Sequence, residues 1–477
     1  MTQNNREFDA RLVAVCPSER QLEYQKLEFV GFIHYTVNTY TGREWGDGTE
    51  SPAIFNPTNL DALQWVQSMK AAGINLIILT CKHHDGFCLW PSAYTDHTVA
   101  SSPYKNGKGD IVKEVSEACA QEGLKFGVYL SPWDRNQKVY GQGEVYDDYF
   151  CNQLTELLTN YGPVHTVWLD GACGEGPNGK KQYYNFPRYY RLVRELQPMA
   201  CINVCGPDIR WCGNEAGDTR PSEWSVVPEA LRHAEYVESH SQQEDNAKFR
   251  EQKISSMERD LGSRGRLRDI ENLVWYPSEV NTSIRPGWFY HEEEDDKVKS
   301  LNKLVRIYER SIGGNAIFLL NVPPNKEGRI ADQDVARLKE LGDYFRHTFR
   351  ENVAEKAIFR ANKEKAGYEI EHVRDMMSDK WYMPEDGQTS VEIEIELEKK
   401  EALHYLVLQE HIQLSQRIED FQVYAKVEDK WIRVYKGTTV GYKKIVRLHD
   451  IETNMLKIQI KDSRVCPTLH FVGVYKK

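Results

Sequence analysis

The chain has 477 residues, 40% hydrophobic and 28% charged, with a formal net charge of −10. That length suits two or three domains of an ordinary globular protein, and the negative balance argues against nucleic acid or an anionic membrane surface as a partner. No run of about 18 apolar residues offers a membrane span.

Short apolar runs recur, most followed by a segment of helical periodicity. VGFIHYT (Val30–Thr36) precedes LDALQWVQSMKAAG, which Gly73 stops. INLIILTC precedes DIVKEVSEACAQEG, which Gly123 closes. LKFGVYLS, VHTVWLD and ACINVC are the next strands. DDYFCNQLTELLTNYG and FPRYYRLVREL lie between them as helices. ENLVWYPSEVN and AIFLLNV read as further strands, with DKVKSLNKLVRIYERSIGG and QDVARLKELGDYFRHTF as helices. Strands buried on both faces and alternating with helices predict a parallel sheet covered by helices. No GxGxxG follows the first strand, so a (β/α)8-like barrel over residues 1–346 fits better than a doubly wound sheet. Cys205–Asn272 is too irregular for full strand–helix units, and some barrel helices are expected to be missing there.

Residues 347–477 change texture. VEIEIEL, ALHYLVLQE, RIEDFQVYAKV, KWIRVYKGTTVGYKKIVRL, MLKIQIKD and LHFVGVYKK alternate at period two, which predicts an all-β sandwich of jelly-roll type. Its expected role is structural, closing the barrel's side, with carbohydrate binding as the sharper alternative. The 10 cysteines lie scattered with no CxxC pair and read as buried, reduced thiols. The N-terminal MTQNNREFDARL has no apolar leader core. A cytoplasmic location is therefore expected, with a periplasmic or secreted one as the alternative if a leader is missing.

Barrel enzymes carry their reactive groups at the C-terminal ends of strands. Those ends present His34, then His83 and His84, then Tyr129, Asp170, Asn203 and Cys205. A catalytic zinc needs three protein ligands; His34, one of the adjacent pair and Asp170 could supply them, although neighbouring strand residues point to opposite faces. Asp170, followed by Gly171 and Ala172, suits a carboxylate nucleophile aimed into a pocket. Such an enzyme needs a second carboxyl as acid and base. Glu215, Glu223 and Glu279 are candidates that the residues alone do not rank.

FIHYTVNTYTGREWGDG, LTCKHHDGFCLW, GVYLSPWD, VWLDGA, GNEAGDTRPSEWS and PSEVNTSIRPGWFY together resemble glycoside hydrolase family 29, the α-L-fucosidases. The resemblance implies a retaining exo-α-L-fucosidase without metal or other cofactor, acting on fucosylated oligosaccharides or glycoconjugate glycans. It makes Asp170 the nucleophile and Glu215 the acid/base. It assigns His34, Glu44, Trp45, His83, His84 and Tyr129 to the grip on fucose, and Trp288 to the sugar's methyl group. GNEAG and SPWDRN resemble the subfamily selective for α-1,3/1,4 linkages. On this reading the histidines hold sugar hydroxyls, with Asp85 orienting one imidazole. A metal-dependent barrel hydrolase and a non-catalytic carbohydrate-binding protein are the alternative readings.

Overall fold

The computed structural model describes the backbone of residues 3–476. Two helices, Gln3–Val13 and Glu19–Gln25, precede β1 (Phe29–Ile33), β2 (Leu76–Lys82), β3 (Lys125–Leu130), β4 (Thr166–Leu169) and β5 (Cys201–Val204). β6 (Arg210–Trp211) follows at once, and then a long excursion. Inside the excursion β7 (Val226–Pro228) pairs antiparallel with β8 (Leu273–Trp275), forming a ribbon outside the barrel. β9 (Ser278–Ser283) and β10 (Ala316–Asn321) return to the main sheet. The sheet runs β5-β4-β3-β2-β1-β10-β9-β6, all pairs parallel. A single bridge, Asn203 to Ile209, spans the β5–β6 gap and nearly closes the barrel.

Local chemistry sets the helix limits. Asp61 caps Ala62–Ala71 by accepting the Gln64 N–H at 2.9 Å, and Asp110 caps Ile111–Glu122 in the same way. Gly123 ends the latter in a left-handed turn, φ 73°. Regular helices follow β1, β2, β3, β4, β9 and β10. None follows β5, and the excursion after β6 carries only short pieces, as its irregular sequence implies. ENLVWYPSEVN, read above as one strand, splits at Tyr276–Pro277 into the ribbon strand β8 and the barrel strand β9. A proline cannot donate to a ladder, so pairing breaks there. β6 and β7 are too short to show a period.

The barrel core is one continuous apolar cluster with β2 buried throughout. Helix Asp332–Thr348 packs against Ala62–Ala71 so closely that a β-carbon on Gly342 would lie 1.8 Å from the Ala71 carbonyl oxygen. Gly342→Ala must push the helices apart and is expected to cost about 2–3 kcal/mol. Denaturant unfolding measures it, and an unshifted midpoint would refute the close approach.

Beyond the barrel stand β11 (Ile358–Ala361), β12 (Val391–Gln409), β13 (Ile418–Val427), β14 (Lys430–Gly437), β15 (Lys444–Ser463) and β16 (Phe471–Lys476). They form one antiparallel sheet around a second apolar cluster. VEIEIEL and ALHYLVLQE are a single strand of 19 residues, β12. Its register shifts at Glu396/Glu401 and Leu403/Tyr405 let it bend without losing its partner β15. This domain meets the barrel at helix Leu301–Ser311. There Glu309 accepts from the Tyr405 hydroxyl and, at 2.8 Å, from Arg447.

Candidate active site

β2 ends at Lys82, so His83 and His84 lie beyond the strand and escape its alternation. A register shift against β3 at Thr80/Lys82 turns the backbone just before them. Lys82 is fully buried and pairs with Asp134 at 3.0 Å. Asp134 also abuts Gly86, where φ is +79° and a β-carbon would sit 2.4 Å from the Asp134 Oδ1. Glycine is thus required for the turn that follows the histidine pair.

His83 and His84 line a cavity enclosing about 540 Å³, open mouth included, together with His34, Trp45, Asp170, Glu215 and Trp288. Hydrogen-bond partners fix two of the three imidazoles. Ser131 Oγ donates to the Trp133 carbonyl at 2.7 Å, so it accepts from His84 Nδ1–H, also at 2.7 Å. Asn321 gives its N–H groups to Ser283 Oγ and the Trp288 carbonyl, so its oxygen accepts from His34 Nδ1–H at 2.8 Å. Both rings therefore carry a bare Nε2 acceptor. That of His84 lies 3.9 Å from Asp170 Oδ2. Burial lowers the pKa of both to about 3 and holds that of His83 well below its ordinary value, so all three stay neutral. His83 stacks on Tyr129, and its Nδ1 is buried without a hydrogen-bond partner among the described residues.

Asp170 follows β4. Its oxygens accept from the Tyr129 hydroxyl and the Ala172 N–H, both at 2.9 Å. Burial raises its pKa, and these hydrogen bonds oppose the rise. Glu215 rides a loop held by Asn214, whose oxygen accepts the Ala216 and Asp218 N–H groups. Its carboxylate accepts the Trp288 indole N–H at 2.9 Å. Burial pushes its pKa up to about 7, opposed by the Trp288 bond and reinforced by nearby Asp170.

Glu44 does not line the cavity. Its oxygens accept from the backbone N–H groups of Trp288 and Phe289 and from His291. It thereby fixes the strap that carries Trp288, and through Trp288 it bears on Glu215. Gly287 makes room for it, since a β-carbon there would meet Glu44 Oε1 at 2.4 Å. Tyr129 reaches the site through its bond to Asp170. Trp45 lies edge-on to both His84 and Trp133.

The other two carboxylate candidates are engaged elsewhere. Glu223 is buried between Arg210 and Arg220. Glu279 sits inside the barrel, accepting from Tyr24, Trp168 and Asn203. The expected role of Asp85 needs correction: its carboxylate accepts from Thr36 and the Phe87 N–H, and Ser131 orients His84 instead. A hydroxyl on the first residue after β3 leaves no sequence pattern linking it to the histidine. Among the described residues, no group of three or more His, Cys, Asp and Glu is placed to hold a metal ion. No helix among them is long and apolar enough to cross a membrane. All ten cysteines are free thiols.

The cavity wall also includes Trp168, Trp211, Gln242 and Asn281, which the sequence reading did not select. Asn281 had a signal: Glu279, Asn281 and Ser283 alternate along buried β9 and so share its inner face. Trp211 ends a strand of two residues, too short to mark an inner face.

The sequence model of the alpha-L-fucosidase family matches residues 18–348. Alpha-L-fucosidase 1 of Arabidopsis thaliana is 39% identical over 96% of this chain and 87% of its own. The crystal structure of an alpha-L-fucosidase homologue from Bacteroides ovatus superposes with a TM-score of 0.85 at 44% identity, covering 98% of this chain and 76% of that one. A Ruminococcus gnavus GH29 fucosidase, solved in complex with fucose, gives a TM-score of 0.83 at 29% identity over 97% and 95% of the two chains. With a barrel, a neutral histidine cluster and two carboxylates on one cavity, the chain belongs to the alpha-L-fucosidase family of glycoside hydrolases.

Proposed function

We propose that this chain is a retaining exo-α-L-fucosidase releasing terminal α-1,3- or α-1,4-linked fucose from fucosylated oligosaccharides. One observation carries the assignment of roles: of the three candidate glutamates, only Glu215 shares the cavity with Asp170. The two environments suit divided work. Asp170, held by Tyr129 and the Ala172 N–H, is the group that attacks the anomeric carbon. Glu215, with its proton retained to about pH 7, protonates the leaving oxygen and then activates water against the fucosyl-enzyme. The bare Nε2 atoms of His34 and His84 accept hydrogen bonds from sugar hydroxyls, while Trp45 and Trp288 pack on apolar C–H groups. The linkage preference rests on the GNEAG and SPWDRN segments alone.

Initial rates on a panel of α-1,2-, α-1,3-, α-1,4- and α-1,6-linked fucosyl oligosaccharides test this reading. The α-1,3 and α-1,4 branched substrates are expected to be cleaved fastest; fastest cleavage of the α-1,2 linkage would contradict the linkage assignment. His34→Ala and His84→Ala are each expected to lower kcat/KM on an aryl fucoside about tenfold or more, since each removes a buried hydrogen bond to the sugar. Unchanged kinetics would leave these imidazoles a packing role only. The acid must be protonated to act, so kcat/KM on an oligosaccharide should fall as pH rises through about 7. Glu215→Gln should abolish that limb; its survival in the variant would assign the titration to another group.

A further inference from the structure

The cavity opens at Glu215 and Trp288 into a wide groove, which both residues also line. This inference rests on the fucosidase reading. A general acid stands between the sugar being released and the group it leaves behind. Space reached past Glu215, on the side away from Asp170, is therefore where the leaving saccharide lies.

The charge of that groove is opposite to that of the chain. Nine lysines and arginines line it against four aspartates and glutamates, in a protein of net charge −10. Several of these cations are committed: Arg285 pairs with Asp334 and Asp295, Arg250 with Asp245 and Arg447 with Glu309. Lys253, Lys297, Lys303 and Arg306 are exposed and form no ion pair or side-chain hydrogen bond among the described residues. Lys303, Arg306 and Arg310 follow one another at helical spacing on Leu301–Ser311, so they face the groove as a row. Like charges at that spacing repel, and the row lacks counter-charges of its own apart from the Asp218 contact to Arg310 at 3.7 Å.

We infer that this groove binds the leaving saccharide through a negative charge on it, a sugar-acid carboxylate or a sulfate ester. Exposed lysine and arginine ends reach a mobile anion without fixed geometry, and their pull is strong at low salt and screened at high salt. Fucose itself is uncharged and lies in the inner cavity, so the groove acts on the leaving saccharide alone.

The test compares four substrates. Three are oligosaccharides with one fucosylated core, carrying no charge, a sugar-acid carboxylate or a sulfate ester. The fourth is 4-nitrophenyl α-L-fucoside, whose small leaving group does not reach the row. At low salt, kcat/KM for at least one charged substrate is expected to exceed the neutral one by roughly threefold to tenfold, the product of a few screened ion pairs. The advantage should shrink towards unity at about 0.5 M salt. It should shrink likewise in a variant combining Lys253→Gln, Lys297→Gln, Lys303→Gln and Arg306→Gln, with nitrophenyl fucoside turnover unchanged. A preference confined to one charged substrate identifies the anion. Equal rates on neutral and charged substrates at low salt, or a preference that persists in the variant, overturn the inference while the fucosidase reading stands. Failure to cleave any of the four overturns that reading and the inference with it.

Discussion

Asp170→Asn is expected to lose roughly three to five orders of magnitude in turnover while still folding and binding fucose. The amide has nearly the shape of the carboxylate, and one of its ends can still accept from Tyr129 or the Ala172 N–H, the two groups that hold Asp170. What it lacks is a charged oxygen to attack the anomeric carbon. Turnover on an aryl fucoside and calorimetric titration with fucose separate the two effects. A truncated variant, Asp170→Gly, leaves room for azide as an external nucleophile. Azide then attacks directly and gives the inverted β-fucosyl azide. Near-normal activity in Asp170→Asn would remove the mechanism altogether.

The second large effect is expected at Glu215, and its size depends on the leaving group. A general acid matters most where the departing oxygen is basic. Glu215→Ala should therefore lower cleavage of fucosyl oligosaccharides by about 10²–10⁴-fold, and formation of the fucosyl-enzyme from a fucoside of an acidic phenol far less. Hydrolysis of that intermediate still lacks its base. Azide, which needs no base, should restore turnover and yield the retained α-fucosyl azide. Glu223→Ala should behave differently. It strips Arg210 and Arg220 of their buried partner and should cost about 3–5 kcal/mol of stability, with no dependence on the leaving group. Rescue by azide in Glu223 or Glu279 variants instead would move the acid/base role off Glu215.

The barrel was readable because β1 to β5 and β10 are apolar runs alternating with helices, the first two of which carry an aspartate cap and a glycine stop, all local signals. The excursion after β6 was not. The two-residue strand β6 and the ribbon depend on partners 45 or more positions away, such as Val226 with Trp275. The C-terminal sheet was readable as alternation, but β12 was cut at its bend, where the EKKEA stretch hides the continuity that pairing preserves, and KWIRVYKGTTVGYKKIVRL ran β14 into the first part of β15.

At the site, residue types were easier to read than their work. Asp170, the three histidines, Trp45, Trp288 and Glu215 come together on one cavity from loops after different strands. Yet Ser131 setting the tautomer of His84, and Glu44 holding the strap beneath Trp288, are side-chain-to-loop contacts across tens or hundreds of positions. No periodicity records such contacts.

The most direct measurement is covalent trapping of the intermediate. A 2-deoxy-2-fluoro-fucosyl fluoride forms the glycosyl-enzyme quickly through its good leaving group and releases it slowly, because fluorine at C2 destabilises the oxocarbenium-like transition state. Digestion and mass spectrometry then locate the adduct. A single fucosyl ester is expected on the peptide that carries Asp170, absent from Asp170→Asn. An adduct on Glu215 or another residue, or inactivation-free turnover with no adduct at all, would contradict it.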